Sequence, residues 1–170
     1  MGFSVSISKD ARFVSLDSGL SINADHKCNV VAYKYSKSTD RWELFGDVIS
    51  VATSNKSCSH SVSIFGNEYT LATGGPHIVD NVENSGHIRV FKHLTESNTW
   101  EAIDNTIVGV GVDDYFGASI LISEDGKIVA GGALRSHKNG EYSGYVKVFS
   151  VQKANLAKEY GRYSDRLSNW

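Results

Sequence analysis

A repeat sets the terms for this chain. Val62 to Trp100 lies on the stretch from Ile120 onward at a constant offset of 58 with no gap. Ile64 falls on Ile122, Asn67 on Asp125, Leu71 on Val129, Ala72 on Ala130, Gly74 on Gly132, Glu83 on Glu141, and Ser85-Gly86 on Ser143-Gly144. A third copy at the N-terminus places Val5, Ile7, Asp10, Val14 and Ser15 on Val62, Ile64, Asn67, Leu71 and Ala72 at an offset of 57. Beyond Asp17 the offset becomes 58, so that Tyr33 meets Phe91 and Trp42 meets Trp100. A fixed period slightly above the roughly 20 to 50 residues of common repeat architectures signals stacked or radial units.

Each unit reads as four short strands. Val62-Ser63-Ile64 and Val5-Ser6-Ile7-Ser8 alternate apolar and polar, as half-buried strands do, and Ile120-Leu121-Ile122-Ser123 is their counterpart. Glu124-Asp125-Gly126-Lys127 then carries the Asp-Gly signal of a two-residue hairpin, with Gly66-Asn67 and Lys9-Asp10 as weaker equivalents. The second strand ends in small residues, Ala130-Gly131-Gly132 and Ala72-Thr73-Gly74-Gly75, which let a neighbouring backbone come close. After a loop of about ten residues, Tyr145-Val146-Lys147-Val148-Phe149 and His87-Ile88-Arg89-Val90-Phe91 form a third strand with aliphatic residues on one face and Lys or Arg on the other. Trp100-Glu101-Ala102-Ile103 and Trp42-Glu43-Leu44-Phe45 are the fourth. Four-stranded antiparallel meanders repeated in this way are propeller blades.

The expected architecture is therefore all-β: about three blades, near residues 3–50, 58–108 and 116–150, within a repeat region of residues 1–150. The tail, residues 151–170, breaks register. Lys158 stands where a tryptophan is due, and Gln152 to Tyr160 are helix-favouring, which predicts a short helical tail and a third blade without its outer strand. Closed propellers have about four to eight blades, so a partial propeller is expected, as part of a longer chain or completed by self-association.

Asp114-Tyr115-Phe116-Gly117-Ala118-Ser119, Ile122-Ser123-Glu124-Asp125-Gly126-Lys127-Ile128-Val129-Ala130-Gly131-Gly132-Ala133 and Ser143-Gly144-Tyr145-Val146-Lys147-Val148-Phe149 together resemble one FG-GAP-type repeat, the unit of integrin-α-like β-propellers. The likeness is strong in the third unit. It weakens in the second, where Cys58-Ser59 replaces Phe116-Gly117, and in the first, where Asp17-Ser18 replaces the Gly pair and Cys28-Asn29 replaces Ser-Gly. The resemblance implies a non-catalytic binding or scaffold module, in a protein that is secreted or displayed at the cell surface. Some members bind calcium through alternating aspartates, but Ser123-Glu124-Asp125-Gly126 offers two carboxylates where calcium takes about six to eight oxygens. No metal or cofactor is expected. Asp113-Asp114 is explained by hydrogen bonds to nearby backbone amides.

The remaining chemistry is sparse. Six histidines, at 26, 60, 77, 87, 93 and 137, show no metal-ligand spacing and are expected at the solvated surface. There is no G-x-S-x-G elbow, and Val108-Gly109-Val110-Gly111-Val112 lacks a third glycine and a following helix, so the sequence predicts no enzyme. Seventeen basic against 19 acidic residues make no field for nucleic acid. No run approaches the roughly 18 apolar residues of a membrane span, and no signal peptide is legible. Cys28 and Cys58 are expected as free thiols.

Function then falls to the loops joining second and third strands, Ser18 to Lys27, Pro76 to Asn84 and Ala133 to Tyr142, which differ while the strands agree. His77, Asp80, Asn81, Glu83, Arg135, His137, Lys138, Asn139 and Glu141 are the candidate binding residues, for a protein partner or a glycan. The protein-partner reading is the first choice. A lectin-like alternative requires Trp42, Trp100, Tyr142 and Tyr145 to be exposed stacking platforms, whereas the equivalence of Trp42 and Trp100 suggests packing between blades.

Overall fold

A computed structural model describes residues 4–17, 29–51, 60–65, 69–77, 82–103, 106–137 and 140–151, together with the backbone of 158–163. The first sheet holds β1 (Val5–Ile7), β2 (Phe13–Asp17), β3 (Asn29–Ser36), β4 (Arg41–Leu44) and β5 (Ile49–Ser50). The second holds β6 (Ser61–Phe65), β7 (Thr70–Gly75), β8 (His87–Leu94), β9 (Thr99–Ala102) and β10 (Ile107–Val108). The third holds β11 (Phe116–Ile122), β12 (Ile128–Ala133), β13 (Tyr145–Ser150) and β14 (Lys158–Tyr163). Every pair within a sheet is antiparallel, in meander order, and the three sheets are blades of a partial β-propeller.

The outer strand of the first two blades is split. Tyr33 to Ser36 of β3 pair with β4, while Asn29 and Val30 at its start pair with β5, and β8 divides the same way between β9 and β10. These two-residue strands come in addition to the four strands per unit expected from the sequence, and both lie within the expected blade bounds. The tail also differs from expectation. Lys158–Tyr163 is a strand paired with Val146 to Ser150 of β13, so the third blade has its outer strand and those residues are not helical. An unpaired edge of six residues offers more hydrogen bonds than isolated helix propensity can repay. Residues 152–157, the rest of the segment read as helical, lie outside the described residues, as do Cys28 and Cys58.

The blades converge on their first strands. β1 and β11 each pack against β6, and serine hydroxyls bridge them: Val62 N–H donates to Ser4 Oγ (3.1 Å), Ile64 N–H to Ser6 Oγ (3.2 Å) and Ile122 N–H to Ser63 Oγ (3.1 Å). Ser61 Oγ donates in turn to the Gly117 carbonyl at 2.8 Å. The serines that alternate with Val and Ile thus satisfy the inner edge of the next blade rather than facing water. The approach is close enough that a Cβ on Gly74 would sit 2.1 Å from the Gly117 oxygen, which is why small residues end the second strand.

Two apolar clusters lie between blades, not within a common sheet. Phe13, Val30, Ala32, Val62, Ile64, Leu71, Phe91 and Trp100 fill the first junction. Phe65, Ala72, Ile88, Val90, Phe116, Ile122, Val129, Tyr145 and Phe149 fill the second. β6 and β7 of the middle blade are consequently buried on both faces, while Val5 and Ile7 on β1, and Leu121 and Val146 on the third blade, are exposed. Leu121 and Val146 stand at the repeat positions of Ser63 and Ile88, on the face which in the middle blade is covered by its successor. Trp100 is 8% exposed between blades, and its equivalent Trp42 on the first blade is 46% exposed.

The face read as cationic is an interblade face. Lys147 is 4% exposed with its ammonium over the Phe116 and Tyr145 rings, and Arg89 lies over Phe91, because the preceding blade covers that side. The turn chemistry differs as well. In Ser123 to Ile128 only Gly126 has positive φ (69°), and Ser123 Oγ and Asp125 Oδ1 collect the Ile128 and Lys127 N–H groups. Ser8 and Asp10 repeat this at Phe13 and Arg12, with Ala11 (φ 54°) in the glycine position. It is a serine- and aspartate-capped turn, not a two-residue hairpin.

Leu71, 0% exposed, and Leu121, 67% exposed, give a direct check. Truncating Leu71 to Ala should cost about 2–5 kcal/mol by urea unfolding, and Leu121→Ser within about 0.5 kcal/mol.

Candidate functional site at the loop end

His60 stands just before β6, His77 just after β7, Tyr115 just before β11 and Arg135 just after β12, so antiparallel pairing brings all four to one end of the second and third blades. They form a row. The His60 and His77 rings meet edge-on at 5.9 Å, His77 and Tyr115 at 6.4 Å, and the Arg135 guanidinium lies 5.3 Å from the Tyr115 ring centre. His77 and Tyr115 are half-buried while His60 and Arg135 are exposed, so the row opens to solvent at both ends.

A rigid frame holds it. Asp114, buried beneath Tyr115, accepts from Val110 N–H (3.1 Å) and the Tyr145 hydroxyl (3.0 Å), and Asp113 accepts from Asn84 Nδ2 (2.7 Å). The acidic pair is therefore engaged in hydrogen bonds. Tyr115 N–H donates to the Asn84 carbonyl and Phe116 N–H to that of Ser85, which fastens the β10–β11 connection to the loop after β7. Tyr115 itself has φ 53°, a left-handed conformation uncommon for an aromatic residue and stabilised here by these bonds.

Of the residues singled out from sequence, the structure brings His77 and Arg135 into this row. His137 and Tyr142 form a second contact, rings 4.8 Å apart, with exposed Glu141 adjoining in sequence. Glu83 is exposed, and its carbonyl accepts from Asp113 N–H. Asp80, Asn81, Lys138 and Asn139, and the loop Ser18 to Lys27, lie outside the described residues. His60 and Tyr115 were missed. Tyr115 falls inside the Asp114 to Ser119 motif, and His60 is one of the six histidines without metal-ligand spacing. Tyr145 and Trp100 are buried between blades, which removes two of the four proposed stacking platforms.

The expectation of surface histidines fails at His87 and His93, both buried: Phe45 of the first blade stacks on the His93 ring, and Gly117 of β11 lies close against the His87 backbone. Burial pushes His87 down to about 4, aided by the Arg89 and His77 charges and opposed by a hydrogen bond to the Gly75 backbone. Among the described residues no group of three His, Cys, Asp or Glu is disposed to hold a metal, and no helix is long and apolar enough to cross a membrane.

No family model and no curated protein matches the sequence. Solved structures match the fold. A Bacteroides fragilis protein described as a 6-phosphogluconolactonase matches 92% of this chain and 36% of its own length, with 13% identity and a TM-score of 0.58. The periplasmic gluconolactonase of Pseudomonas aeruginosa matches 98% of this chain and 58% of its own length, with 10% identity and a TM-score of 0.53. The likeness establishes the propeller fold, and the chain spans well under two thirds of either structure. It corrects the FG-GAP assignment, since the solved propellers that share this fold are described as lactonases and not as integrin-α-like repeats. The inferences drawn from that assignment fall with it. A fold shared with described enzymes overturns the expectation of a non-catalytic scaffold with a protein or glycan partner, and with it the lectin alternative.

His87 yields a pH prediction. Its folded-state value lies below the ordinary 6.5, so the unfolded chain binds the extra proton first. Stability is complete above about pH 6.5 and falls by about 3 kcal/mol toward pH 4, below which this group adds no further loss. Urea unfolding at pH 7 and pH 4 should show that loss, and His87→Gln should reduce the difference.

Proposed function

We propose that this chain is part of a β-propeller hydrolase that opens the lactone ring of a sugar acid, with the row of His60, His77, Tyr115 and Arg135 as its site. The observation that carries the reading is the juxtaposition of imidazole and guanidinium across one phenol ring at the mouth of two blades. The proteins described as gluconolactonases that share this fold support the choice of lactone over other esters.

Lactone hydrolysis asks for two things. Water must lose a proton as its oxygen attacks the carbonyl carbon, and the oxygen that becomes negative must be stabilised until the ring C–O bond breaks. His77 is the general base in this scheme. Imidazole suits the role because it exchanges protons near neutral pH, and Tyr115 and His60 restrict its ring from two sides. Arg135, permanently charged and stacked on Tyr115, faces the developing oxyanion or a carboxylate or phosphate on the substrate. The product hydroxyl takes the proton held by His77.

Hydrolysis of gluconolactone, measured against its spontaneous rate, tests this. His77→Gln should lower kcat/KM by about 10²–10⁴-fold and Arg135→Met by about 10²–10³-fold, while His137→Gln, on the separate ring pair, should leave it unchanged. Hydrolysis no faster than the spontaneous rate, or unaffected by His77→Gln, contradicts the proposal.

A further inference from the structure

At the opposite end of the blades the two interblade junctions differ, and the difference is readable position by position. At the first junction Phe13, Phe45, Tyr69 and His93 form an aromatic plug. Phe13 meets Phe45 at 5.1 Å and Tyr69 at 5.3 Å, Phe45 stacks on His93 at 3.9 Å, and the Lys34 ammonium caps Phe13 at 5.6 Å and Phe45 at 5.7 Å. Moving each residue by the repeat offset gives its counterpart at the second junction. Phe13 becomes Thr70, Lys34 becomes Lys92, Phe45 becomes Ile103, Tyr69 becomes Lys127 and His93 becomes Val151.

All five counterparts line one cleft of about 560 Å³, which Tyr69, His93, Thr95 and Gly126 complete. The plug is absent there because every aromatic has been exchanged for a smaller or charged residue. Lys92 keeps the position of Lys34 but has lost the rings beneath it, and Lys127 adds a second ammonium in place of a phenol. Among the described residues neither lysine forms an ion pair; the nearby Glu124 is engaged with Lys9 at 2.6 Å. Asp125, beside Lys127, is held below the usual carboxylate range mainly by the Ser123 hydroxyl and the Lys127 backbone N–H.

We propose that this cleft between the second and third blades binds a small organic anion, its phosphate or carboxylate group between Lys92 and Lys127 and its carbon skeleton against Ile103 and Val151. The Thr70 and Thr95 hydroxyls supply neutral hydrogen bonds. The volume suits a metabolite of sugar-phosphate size, within the roughly 300–1,000 Å³ of small-molecule sites. The site lies at the far end of the strands from the His77 row and does not depend on the catalytic reading.

Titration calorimetry of the purified chain at low ionic strength, with inorganic phosphate, glycerol 3-phosphate and gluconate as separate probes, tests the proposal. Saturable binding of at least one probe is expected, and the three arms distinguish phosphate from carboxylate. Lys92→Met and Lys127→Met should each weaken that binding at least tenfold while leaving gluconolactone hydrolysis as it was. Thr70→Phe combined with Ile103→Phe restores the plug of the first junction and should abolish binding with an unchanged circular dichroism spectrum. If the doubly substituted chain does not fold, the two lysine variants decide alone. No binding of any probe, or binding indifferent to both lysine variants, overturns it; loss of hydrolysis in His77→Gln with anion binding intact would leave it standing.

Discussion

Interblade contact is the constraint on which the rest of this structure depends. A four-stranded meander has two faces and cannot bury either by itself, so each blade is stable to the extent that its neighbours cover it. The middle blade shows the full effect: β6 and β7 are buried throughout, with apolar clusters on both sides. The hydroxyls of Ser4, Ser6 and Ser63 then fix how the inner strands abut, since each accepts a backbone N–H of the next blade that would otherwise lack a partner. Packing supplies the driving force and these hydrogen bonds supply the register.

The same arrangement brings together the residues of the two proposed sites. Loops at one end of two adjacent blades converge without any strand continuing between them, so side chains 17 to 75 residues apart in sequence, His60, His77, Tyr115 and Arg135, meet over a frame fastened by Asp113 and Asp114. At the other end the width of the junction is set by what fills it. Aromatics close the first junction and Thr70, Ile103 and Val151 leave the second open. A repeat protein can thus vary chemistry at one junction without disturbing the strands, because these positions lie at strand ends and turns.

Much of the fold was legible from spacing alone. The period-two alternation around Ser6, Ser63 and Leu71 and the small residues at Gly74 and Gly132 locate the strands, since both patterns express local backbone geometry. What escaped depends on partners distant in sequence. Lys158 to Tyr160 read as helix-favouring until β13 presents an open edge, and Lys147, His87 and His93 read as surface groups until an adjacent blade or a distant loop covers them. The family assignment failed for a related reason: glycine and strand spacing reports the blade, which unrelated propellers share. Half of the loop-end row, His77 and Arg135, was legible as loop residues, whereas Tyr115 was absorbed into a motif. The cleft was written in the sequence as a set of aromatic exchanges, but only the structure shows that those five positions adjoin.

Residue-resolved amide hydrogen exchange tests the radial account most directly. If burial between blades sets local stability, the amides of β7 should be the most protected in the chain, with those of β2 and β12, covered on one side, opening at lower free energy. Equal protection of the second strands in all three blades, or stronger protection of β12 than of β7, would contradict it.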